Sequence, residues 1–168
     1  VMNTKYIITD VSERKKFYGC PYICGVDIFP LDYIPSDEEE LSVFRNLYTI
    51  IYSTAREYYQ YSKEELEEYL KRIEEMCNTN IDREGNIPNQ LWLLLDKVAG
   101  IFGEDECEYL TYLPTNICYD AELKYKKEWF KSAKRFPFEY ISVPLPNGYD
   151  ELLKVTYSDY MKYDKQRG

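Results

Sequence analysis

The chain has 168 residues, a formal net charge of −9, 45% hydrophobic residues, 19 tyrosines and no histidine. That length suits one domain with its own core. The acidic balance excludes a broad nucleic-acid surface, which needs clustered cations, and no stretch reaches the roughly 18 apolar residues of a membrane span. Residues Val1 to Lys5 show no secretory apolar core, so no targeting segment is expected. Cys20, Cys24, Cys77, Cys107 and Cys118 form an odd, scattered set. They read as free thiols of a reducing cytoplasm rather than a disulfide framework. Cys20 and Cys24 could supply half of a zinc site, but with no His and no second close Cys pair zinc is the weaker reading. With so many tyrosines, a share must lie half-buried with the hydroxyl in water or on a polar partner.

Taken in order, Lys5 to Thr9 predicts a short strand through Tyr6, Ile7 and Ile8, and Asp10 to Lys16 a polar connection. Lys15 and Lys16 are candidates for contact with a phosphate-bearing donor, with a solvated turn as the plainer reading. Next comes Gly25-Val26-Asp27-Ile28-Phe29-Pro30-Leu31-Asp32-Tyr33-Ile34-Pro35. Val26, Ile28 and Phe29 around Asp27 predict a buried strand, and Pro30 ends its ladder, leaving Asp32 at the strand's mouth. An acid inside such a strand is costly without compensation. Two carboxylates five residues apart at a strand exit suit a magnesium-type site, and the plain alternative is a strand acid paired with Lys or Arg.

Three helices are predicted next. Ser36 and Glu39 form a capping box ahead of a stripe of Leu41, Phe44, Tyr48, Ile51, Ala55 and Tyr58. Ser62 and Glu65 repeat the box ahead of Leu66, Tyr69, Leu70, Ile73, Met76 and Cys77. Pro88 opens a third helix with Leu91, Leu94, Leu95, Val98, Ile101 and Phe102 on one face, closed by Gly103. These stripes read as core, and Glu64, Glu65, Glu67 and Glu68 as a solvated face. An acidic loop spans Glu104 to Glu108, Tyr109 to Leu113 predicts a strand, and Asp120 to Ser132 leans towards helix through Glu128. Phe136 to Val143 predicts a strand ended by Pro144 and Pro146, and Tyr149 to Met161 a last helix. The fold class is α+β, helix-rich, with a small mixed sheet.

Gly25 to Pro35 resembles the Asp-Ile-Phe-Pro-Leu-Asp motif of the LicD family, the nucleotidyltransferase-fold phosphocholine transferases. A second run resembles that family's closing motifs: Pro137-Phe138-Glu139, Val143-Pro144-Leu145-Pro146, Tyr149-Asp150-Glu151-Leu152-Leu153, and Tyr157-Ser158-Asp159-Tyr160-Met161. Ser158 stands where the family usually has Gly, a position whose backbone turn only Gly takes easily, and Asp164 stands where Pro is common.

The resemblance implies a transferase that moves phosphocholine, or a related phospho-alcohol, from CDP-choline or another CDP-alcohol to a hydroxyl of a cell-surface glycan. It implies Mg2+ held by strand carboxylates, with Asp27 as a catalytic and metal-ligating acid. By the same resemblance Asp32, Tyr157, Asp159 and Tyr160 become candidates for substrate binding, with the aromatic rings suited to a quaternary ammonium. The plainer reading of the last three is that they pin the terminal helix to the core. The family's upstream acidic strand and Arg-His segment have no match here. The expectation is therefore one domain over 1–168, an incomplete nucleotidyltransferase-like domain covering the central and C-terminal parts of the family and inactive by itself. Its expected place is the cytoplasm, with the inner face of a membrane as a further option. A non-catalytic glycan- or protein-binding helical module is the alternative. An open sheet edge would also permit a homo-oligomer.

Overall fold

The computed structural model describes residues 10–16, 28–118 and 123–162. The chain divides into two compact units, Val1–Pro30 and Leu31–Gly168. In the first unit the described residues form one short helix, α1 (Val11–Lys15), where the sequence suggests only a polar connection. Asp10 caps it, its carboxylate accepting from the Ser12 and Glu13 amides at 2.8 and 3.0 Å. That is how an N-cap acid satisfies donors left free at a helix start. The predicted strand at Lys5 to Thr9 and residues Cys20, Cys24 and Asp27 lie outside the described residues.

The buried strand expected before Pro30 is not found where it can be seen. Ile28 and Phe29 are 71% and 62% exposed and carry no strand. The strand follows the proline instead. β1 (Asp32–Ile34) lies in the second unit, so Asp32 opens a ladder that follows the proline rather than standing at the exit of one that precedes it. Pro30 has no amide to donate and therefore precedes the pairing.

The second unit is helix-rich α+β, as the sequence implies. α2 (Glu38–Arg56) packs against α3 (Lys63–Cys77) and α4 (Ile87–Ala99). The cap of α2 is Asp37, whose carboxylate accepts from Glu39 and Glu40 amides, and not Ser36. Either residue has a suitable acceptor, and the helix begins one position later than the box suggests. The box at Ser62 and Glu65 forms as expected. The core gathers Leu41, Phe44, Tyr48, Ile51 and Ala55 from α2, Leu70 and Ile73 from α3, and Leu91, Leu95 and Val98 from α4. On α3 the stripe is narrower than its period suggests. Tyr69 and Met76 stay 36% and 43% exposed because α2 is the main neighbour of this helix. α4 stops at Gly100 rather than Gly103, leaving Ile101 exposed while Phe102 turns edge-on to Phe44 at 5.2 Å.

β1 pairs antiparallel with β2 (Tyr109–Thr111), and β2 with β3 (Tyr125–Lys126). All strand pairings among the described residues are antiparallel. A one-turn helix, α5 (Leu113–Asn116), follows β2. Where the sequence leans towards helix through Glu128, the chain forms β3 and then a 3-10 turn, Lys127–Phe130. The end of the chain departs more sharply from expectation. β4 (Ala133–Phe138) and β5 (Ile141–Pro146) form a hairpin, with Pro144 inside a strand and Pro146 as its last residue. Phe138 opposes Ile141, so the turn has two residues, Glu139 and Tyr140. The pair closing such a turn is hydrogen-bonded, and alternation then puts Pro137, Pro144 and Pro146 at non-bonded positions. Proline is tolerated there because its nitrogen faces outward. The last helix, α6 (Tyr149–Tyr157), is shorter than the expected run to Met161. Among the described residues no helix is long and apolar enough to cross a membrane.

Candidate functional site

Asp32 is the one acid of the first motif among the described residues. Its register partner across the sheet is Thr111. The carboxyl is half-buried, and its pKa is raised, first by desolvation and then by the charge of Asp96 on α4. Among the described residues neither acid forms an ion pair with Lys or Arg. Tyr48 of α2 is buried beside them. Burial pushes its hydroxyl well up, and Cys118, Asp32, Tyr52 and Tyr112 add to the effect. Burial also raises the Cys118 thiol, against a hydrogen bond with Thr49 and the nearby Arg56 charge. Asp32 thus feels the charge of Asp96, and Tyr48 that of Asp32.

A cavity of about 250 Å3 is lined from β1 by Ile34 and from β2 by Thr111, the register partner of Asp32. Its wall includes Glu38, Arg45 and Lys124, and its floor Thr111 and Asn116. The floor is a buried polar knot. The Asn116 amide donates to the Thr111 hydroxyl and, at 2.7 Å, to the Leu123 carbonyl, which also accepts from Thr111 at 2.5 Å. Buried polar groups need such partners, so the floor is held rigid while Arg45 and Lys124 bring positive charge to the rim. A cavity of this size and charge suits a small anionic group better than an apolar one.

Comparison with protein-family models, curated proteins and solved structures finds no match to this chain. Function must be read from the residues themselves.

The second motif divides. Asp159 and Tyr160 share a hollow with Asp150, Lys154, Ser158 and Met161, whereas Tyr157 is 59% exposed and outside its lining. The Tyr160 hydroxyl donates to Asp150 at 2.7 Å, and the Lys154 ammonium donates to the other oxygen at 2.5 Å. The bond to Asp150 pushes the Tyr160 hydroxyl up to about 12, and the Lys154 and Tyr160 bonds hold Asp150 low. Tyr160 therefore reaches back to the first turn of α6. Ser158 takes φ 59°, ψ −120°, a backbone conformation natural to glycine.

Mg2+ needs about six oxygens in near-octahedral array. Among the described residues no group of three or more His, Cys, Asp or Glu is arranged to hold a metal ion. Asp32 and Asp96 alone fall short of that shell, so the described residues do not fit a magnesium site by themselves. Asp27 lies outside them. Cys77, Cys107 and Cys118 are free thiols.

Sequence reading missed Arg45, Asp96, Thr111, Asn116 and Lys124. The available signal was Asn116, a lone amide between apolar Leu113 and Ile117. A polar residue in such company is either a turn or a buried hydrogen-bonding anchor.

Proposed function

We propose that this chain is part of a LicD-like transferase and inactive by itself. The transferase moves phosphocholine, or a related phospho-alcohol, from a CDP-linked donor to a glycan hydroxyl. The observation that carries this reading is Asp32 of the first motif, half-buried, without an ion pair to Lys or Arg among the described residues, on the strand whose Ile34 lines a cavity walled by Arg45 and Lys124. In the proposed reaction the acceptor oxygen attacks the phosphorus that bears the alcohol. The bond from that phosphorus to the bridging oxygen breaks, and CMP leaves. The hydroxyl proton passes to a carboxylate. A half-buried acid with a raised pKa accepts a proton more readily than an exposed one, which suits Asp32. Arg45 and Lys124 would offset the charge of the diphosphate, the main demand of such a transfer. Magnesium, when bound, would supply further charge neutralisation. Asp27 is the residue the resemblance assigns to it.

A second reading, a non-catalytic glycan-binding module, is favoured by the aromatic corner after α2. There Tyr59 is 89% exposed, and Tyr61 and Tyr69 lie 5.0 Å apart. Titration calorimetry with CDP-choline, CDP and free sugars separates the two. Nucleotide binding that weakens about tenfold on Arg45→Ala, as loss of a charge-assisted contact should, supports the transferase. Affinity for sugar alone, untouched by that substitution, would sink it.

A further inference from the structure

We propose that the β4–β5 ribbon docks this protein on an anionic lipid bilayer, with its turn in the headgroup layer and the neighbouring lysines facing lipid phosphates. The inference does not depend on the transferase reading. It begins with charge. The chain is acidic overall, yet Lys124, Lys126, Lys127, Lys131, Lys134 and Arg135 fall within twelve residues that contain one acid, Glu128. Lys126, Lys127 and Lys131 surround a hollow of about 200 Å3 at the foot of the ribbon, together with Glu108 and Glu128. Two of the cations are partly engaged: Lys127 donates to the Glu104 carbonyl at 2.5 Å, and Lys124 lies over the Tyr109 ring. Lys131, Lys134 and Arg135 are exposed, and Arg135 bonds only across the ribbon, to Ser142.

The ribbon itself supplies the apolar element. Its foot is fixed: the Asn147 and Gly148 amides donate to the Ser132 and Trp129 carbonyls at 2.8 and 3.0 Å, and Phe136 packs on Tyr149 at 5.1 Å. Past Phe136 it loses that cover. Phe138 and Ile141 face the same side and are 60% and 52% exposed, and Tyr140 at the turn is 92% exposed. An aromatic tip above a cationic base matches the layering of a bilayer surface, where amphipathic rings sit at headgroup depth and lysines meet phosphate. A second copy is a poorer occupant. Pro137 on β4 and Pro144 and Pro146 on β5 remove outward amide donors from both edges, so neither edge offers a full ladder to a second copy. The single acid at the turn, Glu139, is the one charge opposing the contact there.

The test is sedimentation of the whole chain with vesicles of phosphatidylcholine alone or with about one third phosphatidylglycerol, since each surface cation contributes roughly fivefold at an anionic membrane. Binding should require the anionic lipid and fall as salt rises. Lys131→Ala with Lys134→Ala should weaken it roughly twenty-five-fold and leave the thermal melt unchanged, both side chains being exposed. Tyr140→Trp should give an indole emission that shifts to the blue on vesicle addition. Tyr140→Ser should weaken binding without unfolding the ribbon. No binding, equal binding to both vesicles, or binding indifferent to these substitutions would overturn the proposal. So would light scattering that shows Tyr140 holding two copies together in place of lipid.

Discussion

Glu74 offers the most quantitative test of how this fold is held. One of its oxygens accepts from the Ile81 amide and from Arg83, each at 2.6 Å, and the other accepts from Arg83 at 2.9 Å. Arg83 also reaches Glu67 at 3.0 Å and the Ile81 carbonyl at 2.6 Å. This knot fastens the loop between α3 and α4 and seats Ile81, 4% exposed, in the core. The Arg83 and Ile81 bonds pull the Glu74 carboxyl from 4.5 to about 2. At about 1.4 kcal/mol per unit that difference caps the contribution near 3 kcal/mol. The Arg83 side chain is 32% exposed, so solvent screening reduces the value to about 1–2 kcal/mol. Glu74→Gln keeps the shape and removes the charge. It should lower Tm by roughly 2–8 °C at pH 7 in a melt followed by circular dichroism. Glu74→Ala also strands the Ile81 amide and should cost about 2–4 kcal/mol. Because the folded pKa lies below the unfolded one, the contribution is complete above about pH 4.5 and disappears as pH falls towards 2. The gap between wild type and Glu74→Gln should therefore close over that window. A gap equal at pH 3 and pH 7, or a Gln variant as stable as wild type, would refute the account.

Ser158→Gly should stabilise the chain by about 1 kcal/mol, because it relieves a non-glycine residue at positive φ, and urea denaturation reads this directly. Gly148→Ala should destabilise by roughly 1–3 kcal/mol, since a Cβ there would lie 2.5 Å from Trp129 side-chain atoms; blue-shifted or quenched Trp129 emission would accompany the loss. Asp32→Asn should raise Tm at pH 7, because the folded pKa exceeds the unfolded value and ionisation costs stability above it. The gain should vanish below about pH 4, where the unfolded acid is also protonated. An Asn variant less stable than wild type at pH 7 would mean that a cation compensates Asp32.

What lies within a few residues along the chain is legible without coordinates. The cap at Ser62, the first-turn proline at Pro88, the core stripes of α2 and α4, and the helix-rich α+β class follow from residue types and from side chains spaced by one helical turn. The positive φ kept at Ser158 was not legible, since a serine there suggests an altered turn. Pairing across long separations was not legible either. Lys134 meets Leu145 and Asp32 meets Thr111, and no local period records such partners, because a ladder is decided by which edges can approach. Pro144 and Pro146 show the difference. Locally each marks a strand's end, and Pro146 is one, whereas Pro144 turns its nitrogen away from the partner and the strand continues past it. The candidate site has the same origin. Arg45, Thr111, Asn116 and Lys124 are unremarkable apart, and only packing α2 over the sheet closes a cavity among them. Desolvation, and with it the raised pKa of Asp32, is likewise a property of tertiary burial rather than of any residue in the string.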